Sequence, residues 1–509
     1  MSARRGDKWW VVAAMSLPLF ILTVDINGAF IALPEIGLDL GASTTSLQWV
    51  MNAYLLAFAA LLLPIGRLAD LVGRRRMLLA GIVVFGAASL LNGLAPNESV
   101  LIAGRALQGV GAAMFFATSL SIVSNVFPAE ERARGIGVWT AVGASGAAAG
   151  PILGGVLTEF LSWRWFFLVN VPIAVAAVVL TLAVVEESRD TTAEPGIDVW
   201  GFLTSALGMV ALIFGIQEGS ELGWDNPLVI GSLVAGPLLL VAFVAIETRV
   251  SNPLFELELF RGRNFLASNI AGAAQNAAFF TISFFVTLYL QNVQGLGAFE
   301  TGVVFLAIMI PFISISFFTG KVYERLGGRW GMVIGLAFCA ASALALIPLD
   351  LDSTLLLVIV SFLLFGVGAA LAYNISTTAG MASIPEDKAG GASGILSSTR
   401  FVGPALALAV TGAIFQAVEH RRLSEEVADQ VPSLSDAQVD EVQGLLSGSP
   451  EAVSELSDLG AQEAERLQDI VREVFVPAMS VIMAIIAGMV ALGIAGALLY
   501  RDQDRPDGS

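Results

Sequence analysis

The feature that most constrains this chain is the recurrence of apolar runs about twenty residues long, the length a helix needs to cross a bilayer. Such runs lie near 10–33, 47–66, 77–95, 100–126, 135–158, 165–185, 199–217, 227–246, 265–290, 299–320, 330–348, 354–374, 389–418 and 474–500. In hydrocarbon every backbone N–H and C=O must be satisfied within its own segment, and a helix does this. The reading is therefore an all-α polytopic membrane protein with 14 transmembrane helices. Composition agrees. Only 14% of the 509 residues are charged, and mean hydropathy is +0.79. Soluble domains carry roughly 25% charged residues. Arg4, Arg5 and Lys8 precede the first run as in a signal peptide, but the run is long and lacks a small-residue cleavage site, so it reads as a retained first helix.

Several functions are excluded or disfavoured early. Cys339 is the lone cysteine and His420 the lone histidine, so a thiolate cluster, a His-based zinc site and a Ser-His-Asp triad have no residues to form them. No G-x-x-x-x-G-K-[ST] loop is present. The chain reads as no enzyme and needs no cofactor; an ion gradient or a partner supplies any energy. The formal charge of −17 belongs mostly to one segment: residues 419–473 hold 14 acids against 4 arginines. This is a solvated loop rather than a nucleic-acid surface. Its apolar spacing (Val427, Val431, Leu434, then Val453, Leu456, Leu467, Ile470) predicts short amphipathic helices.

Basic residues orient the spans. With the N-terminus inside, inner segments hold 19 of the 26 Lys and Arg and outer ones hold 5, leaving Arg105 and Arg400 in the hydrocarbon. An even span count with both termini cytoplasmic follows, with the acidic loop outside.

Residues Gly66-Arg67-Leu68-Ala69-Asp70-Leu71-Val72-Gly73-Arg74-Arg75 recur 254 positions later as Gly320-Lys321-Val322-Tyr323-Glu324-Arg325-Leu326-Gly327-Gly328-Arg329. Glycine, base, acid, glycine and base keep their places. A weaker echo pairs the stretch from Pro128 to Gly135 with that from Pro385 to Gly391. Two six-helix halves of like orientation fit this pattern. The expected domains are 1–190, an inserted helix pair at 191–250, and 251–509. Gly66, Arg67, Asp70, Gly73, Arg74, Lys321 and Glu324 are read as a conformational latch. In it Gly66 and Gly73 allow close approach, and Asp70 bridges to arginines or helix ends.

Asp25 is the one carboxylate placed deep in a span. An ionised acid there must be paired, protonated or facing water. Asp25 lies about eight residues, or about 12 Å, from the outer end of helix one and Arg105 about five residues from the same side in helix four, close enough for the arginine stem to reach the acid. Two readings stand: a proton-sensitive Asp25–Arg105 switch, or a static buried pair. Arg400 lies about 18 Å into helix thirteen, near the midplane, with no evident carboxylate partner. It either holds an acidic group of a substrate or braces backbone carbonyls or Asn374. Counting Asp25, Arg105 and Arg400 gives an interior of positive sign, which disfavours dications. Asn52, Tyr54, Gln108, Trp139, Gln275, Asn276, Tyr289 and Asn374 join Arg400 as candidate cavity residues. Phe30, Phe279 and Phe280 are candidate aromatic lining. Gly146, Gly150, Pro151, Gly154 and Gly155 share one face of helix five, where small residues admit a close neighbour and Pro151 bends the helix.

These residues resemble the major facilitator superfamily, and within it the fourteen-helix drug/proton antiporters (EmrB/QacA-like). Thr23-Val-Asp25 followed by Ala32-Leu33-Pro34 is similar to the family's first-helix motif. Leu47-Gln48-Trp49 with Tyr54 resembles its second, Arg105-Ala-Leu-Gln108-Gly109 its fourth, and Gly146 to Gly155 the fifth-helix motif of antiporters. Trp163-Arg164-Trp165, Asn170-Val-Pro172 and Tyr289-Leu-Gln291 also fit. Two places depart from the pattern: Ile26-Asn27-Gly28 after Asp25, and a thirteenth helix with Arg400 but no acid. The resemblance implies a proton-coupled exporter of lipophilic or amphipathic molecules, a multidrug efflux protein of the cell (inner or plasma) membrane, and a monomer in the lipid bilayer with protons and small-molecule substrates as its partners. A lipid or lipid-precursor translocator without strict proton coupling is the alternative.

Overall fold

The computed structural model describes residues 7–189, 198–250, 253–385, 388–430 and 461–502. Among them are fourteen helices long and apolar enough to cross a membrane. They are α1 (Asp7–Leu40), α2 (Thr44–Val72), α3 (Arg74–Gly93), α4 (Glu98–Val126), α5 (Ala129–Phe160), and α6, which comprises Trp163–Leu168 and Asn170–Val184. Then come α7 (Val199–Gln217) and α8 (Pro227–Glu247). The last six are α9 (Arg263–Leu288), α10 (Ala298–Ser316), α11 (Thr319–Ala345), α12 (Leu355–Ala382), α13 (Ala389–Gln430) and α14 (Ala461–Leu498).

Polar side chains placed just outside the apolar runs set where helices begin. Ser43 caps α2 through Ser46 N, Asn97 caps α4 through Val100 N, and Asp198 caps α7 through Gly201 N. Each satisfies an N–H that the first turn leaves open.

Helices α1 to α6 pack on one another, α9 to α14 form a second set, and α7 pairs with α8. The 254-residue repeat is visible in the backbone. Gly73 has φ +123° and Gly327 has φ +78°, both in the region where a side chain is strained. Each glycine precedes a helix start that receives a carboxylate: Arg75 N donates to Glu187 Oε1 at 3.1 Å, and Gly328 N to Asp502 Oδ1 at 2.6 Å. Lys8, which bonds Glu131, lies at this same arginine-rich end with Asp502.

The two sets meet at the opposite end of the bundle. A Cβ on Gly155 of α5 would stand 2.6 Å from Ala298 O of α10, and Gly302 of α10 faces Pro151 O. Helices α2 and α13 meet there through a Gln416–Thr45 hydrogen bond. Toward the arginine-rich end a cavity opens between the sets, although Leu63 of α2 still packs against Gly394 of α13.

Three local expectations change. The sixth span breaks at Val169 rather than running straight. Helix α13 continues to Gln430 and α14 starts at Ala461, so both flanks of the acidic segment extend spans instead of forming separate short helices; residues 431–460 lie outside the described residues. Glu419 at its start is 2% exposed, inside α13, and not in a solvated loop.

Candidate transport cavity and buried charge network

A cavity of about 1870 Å³ opens between the two sets at the arginine-rich end. Small-molecule pockets are usually about 300–1,000 Å³, so there is room for a bulky amphiphile and its water. The deep wall carries Phe116, Trp139, Tyr373, Asn374 and Arg400, and the mouth carries Arg67, Asp70, Arg74, Glu256, Glu258, Arg261 and Lys388. The inserted pair forms part of one side through Asp198, Val244 and Glu247.

Arg400 is 5% exposed. Its Nη2 donates to Tyr373 O at 3.1 Å and Ser376 Oγ at 2.8 Å, and its guanidinium lies 4.1 Å from the Tyr373 ring centroid. Its Nε and the Trp139 Nε1 are buried donors without a protein partner. Asn374 does not meet Arg400; it donates to Ser316 Oγ and Ala370 O.

Of the other expected cavity residues, none lines this space. Asn276 donates to Arg400 O at 2.9 Å and so braces α9 against α13. Gln275 is buried in α9. Asn52 donates to Gln217 of α7. Tyr289 donates to Asp350 O at the opposite end. Phe30 meets Phe279 and Phe280 edge to face at 6.5 and 5.5 Å, sealing α1 against α9 above the cavity. Gly66 also differs from expectation: nothing lies within 4 Å of a Cβ there, because it faces the open mouth. Asp70 does bridge as expected, accepting from Arg74 Nε at 2.9 Å.

Gln108 and Tyr54 belong to a second, closed site. Asp25, Arg105 and Gln108 are all fully buried within α1 to α6. Arg105 Nη1 donates to Asp25 Oδ2 at 2.5 Å and to Gln108 Oε1 at 2.8 Å, while its Nε donates to Val50 O at 3.0 Å. Gln108 Nε2 donates to Asp25 Oδ1 at 2.8 Å and Ser89 Oγ at 3.0 Å; Asn170 Nδ2 reaches Asp25 Oδ1 at 3.3 Å. The Tyr54 ring lies 4.5 Å from the guanidinium. The carboxylate thus has one cationic partner, Arg105, and two neutral amide donors, Gln108 and Asn170, in a network that joins α1, α2, α3, α4 and α6.

The glycine face of α5 explains the departure at Gly28. Gly150 O lies 2.6 Å from where a Gly28 Cβ would stand, and Gly28 O lies 2.6 Å from that of Gly154. Backbones of α1 and α5 touch beside Asp25, which a branched residue at 28 would forbid.

Asp198 and Glu247 fall one residue outside the apolar runs at 199–217 and 227–246 and were not counted among the deep charges, so the positive interior inferred from three of them does not describe the cavity. Their signal was present: an Asp capping one helix of the inserted pair and a Glu closing the other.

A two-set helical bundle with a cavity open at one end and a buried charge network beside it defines a transport protein of the secondary-carrier class. The chain belongs to the major facilitator superfamily, whose family model matches residues 15–408. It is 35% identical over 420 residues to the multidrug resistance protein Stp of Mycobacterium tuberculosis, covering 82% of this chain and 78% of that protein. It is 30% identical over 513 residues to the tetracenomycin C resistance and export protein of Streptomyces glaucescens, covering 99% and 94%. A bacterial homologue of the lysosomal transporter Spinster, solved in an inward-facing and unoccupied conformation, shares the fold with a TM-score of 0.69 at 14% identity, over 99% of this chain and 100% of that one.

Proposed function

We propose that this protein exports lipophilic and amphipathic small molecules from a bacterium, exchanging them for protons by alternating access in the plasma membrane. The reading rests above all on the cavity between the two six-helix sets, open at one end and closed at the other by glycine contacts. The open end carries most of the arginines, so it is cytoplasmic, with both termini. Resistance and export in the names of the two relatives support the direction of transport.

Asp25 is the coupling carboxylate. With the cavity open to the cytoplasm it is closed off and paired with Arg105. A proton taken up from the outside neutralises it and frees Arg105, changing the charge of the network by one unit and biasing which opening is stable. Aromatic walls and the free donors of Trp139 and Arg400 suit a lipophile that carries hydrogen-bond acceptors. The monomer is the functional unit, with Asp70 and Arg74 at the cytoplasmic mouth as the latch.

The test is purified protein in liposomes under an imposed pH gradient, with neutral, cationic and anionic lipophiles. The wild type should accumulate substrate as internal protons leave; Asp25→Asn should still bind but no longer concentrate it. Equal accumulation by Asp25→Asn with unchanged proton flux would remove Asp25 from coupling. Translocation indifferent to the gradient would favour a lipid translocator.

A further inference from the structure

The cavity wall formed by the inserted pair holds two acids that the exporter reading does not use. Asp198 is 8% exposed and Glu247 is 4% exposed. Both are held by the backbone: Asp198 Oδ1 accepts from Gly201 N at 2.8 Å, and Glu247 Oε2 accepts from Phe255 N at 3.2 Å, with the Leu254 N–H also close to the Glu247 carboxylate. Their other oxygens, Asp198 Oδ2 and Glu247 Oε1, are buried without a partner. Both crowd the point from which a side chain on Gly201 would start. The missing side chain is what lets the two carboxyl groups converge.

Surrounding charges do not compensate them. The connecting segment before α9 brings Glu256, Glu258 and Arg261, and Lys388 pairs with Glu256 and Glu258 at 3.5 and 3.9 Å. Across the mouth Arg74 is held by Asp70, with Arg67 beside it, and deeper in Arg400 is bonded to α12. Among the described residues no basic group lies within ion-pairing distance of Asp198 or Glu247. Two facing carboxylates in this position repel unless a cation lies between them. The facing oxygens are buried and without a partner, and a proton is the cation that needs no further room there.

We propose that Asp198 and Glu247 share one proton, held as O–H···O⁻ between their facing oxygens, and so form a proton-binding site in the inserted helix pair, separate from Asp25. The proton comes from the aqueous mouth and returns to it; no bond other than O–H forms or breaks. The wall then carries one negative charge instead of two. The inference does not require Asp25 to be the coupling site.

The experiment is a pH titration followed by infrared difference spectroscopy on the full chain in lipid nanodiscs. It uses a Glu419→Gln background, so that this other buried carboxyl does not contribute. A protonated-carboxyl band worth one group per chain is expected near neutral pH. It should vanish in Asp198→Asn and in Glu247→Gln, where the amide N–H takes the place of the shared proton. It should also vanish in Gly201→Ala, which keeps both acids and forces them apart, and persist in Asp25→Asn. Size-exclusion elution and melting temperature report folding of each variant. A missing band in the parent protein, or one that survives either acid substitution, overturns the proposal. Loss of coupled transport in Asp25→Asn bears on the exporter reading alone.

Discussion

At Arg105 one guanidinium serves the Asp25 carboxylate, the Gln108 amide and the Val50 carbonyl, all out of water. Removing one partner of such a pair leaves a buried charge uncompensated, which typically costs about 3–5 kcal/mol. Arg105→Ala should lose that much stability in thermal or denaturant unfolding in lipid. The double variant Asp25→Asn/Arg105→Met, which leaves no charge behind, should recover most of it. Similar losses in both would mean packing, not charge, dominates the site. Arg400 poses a different question, because it lines the cavity yet is already bonded to Tyr373 O and Ser376. If its remaining N–H holds an acidic substrate, Arg400→Gln should weaken anionic lipophiles about tenfold, or about 1.4 kcal/mol, with Arg400→Lys milder and cations spared. An equal loss for both substrate charges, with a lower melting temperature, would make Arg400 a brace between α12 and α13.

At the scale of elements, the seal between α5 and α10 is backbone against backbone. A side chain on Gly302 would meet Pro151 O, so Gly302→Val should pry the opposite end apart and close the arginine-rich mouth. Ser397 lines the cavity; in a Ser397→Cys background, labelling from the arginine-rich side should fall several-fold. Unchanged labelling would show that the seal lies elsewhere. The inserted pair adds its own contact at that end, where Trp49 Nε1 donates to Glu218 Oε1 at 2.6 Å. Burial raises the Glu218 pKa above the ordinary carboxylate value, with the Trp49 bond opposing. Because the folded pKa is the raised one, this group's stabilisation is present at low pH and fades as pH climbs through it. Thermal stability should therefore decline over that window in the wild type and less in Glu218→Gln; parallel pH curves would contradict this.

At the scale of the whole molecule, a carrier must break one seal as it makes the other. Thr45 and Gln416 hydrogen-bond across the closed end, so cysteines at both positions should form a disulfide that stops transport, and reductant should restore it. Transport that continues with the bond intact would rule out opening at that end. Much of this architecture was legible from the sequence. Apolar windows gave fourteen spans because hydrocarbon leaves a helix few alternatives, and the repeat around Gly73 and Gly327 announced two related sets. Asp25 and Arg105 were readable as a pair because each is a lone charge in an apolar run. The cavity was harder. Helices such as α12 are apolar on all sides, so their pattern does not say which face meets lipid, and Tyr289 and Asn52 turned to packing roles. Asp198 and Glu247 escaped notice because they sit at helix ends 49 positions apart, and only the pairing of α7 with α8 joins them.

The two mouths are shut by different forces. Glycine and carbonyl contacts close one end together with the hydrogen bonds Gln416–Thr45 and Phe299 N to Glu159, and no ion pair among the described residues joins the two sets there. The other end is edged by Arg67, Asp70, Arg74, Glu256, Glu258 and Lys388, whose mutual attraction can hold it only when it closes. The screening length shrinks from about 10 Å at 0.1 M salt to about 3 Å at 1 M. Ionic strength is then a lever on one mouth and nearly none on the other, so concentrated salt should hold the carrier in the opening seen here.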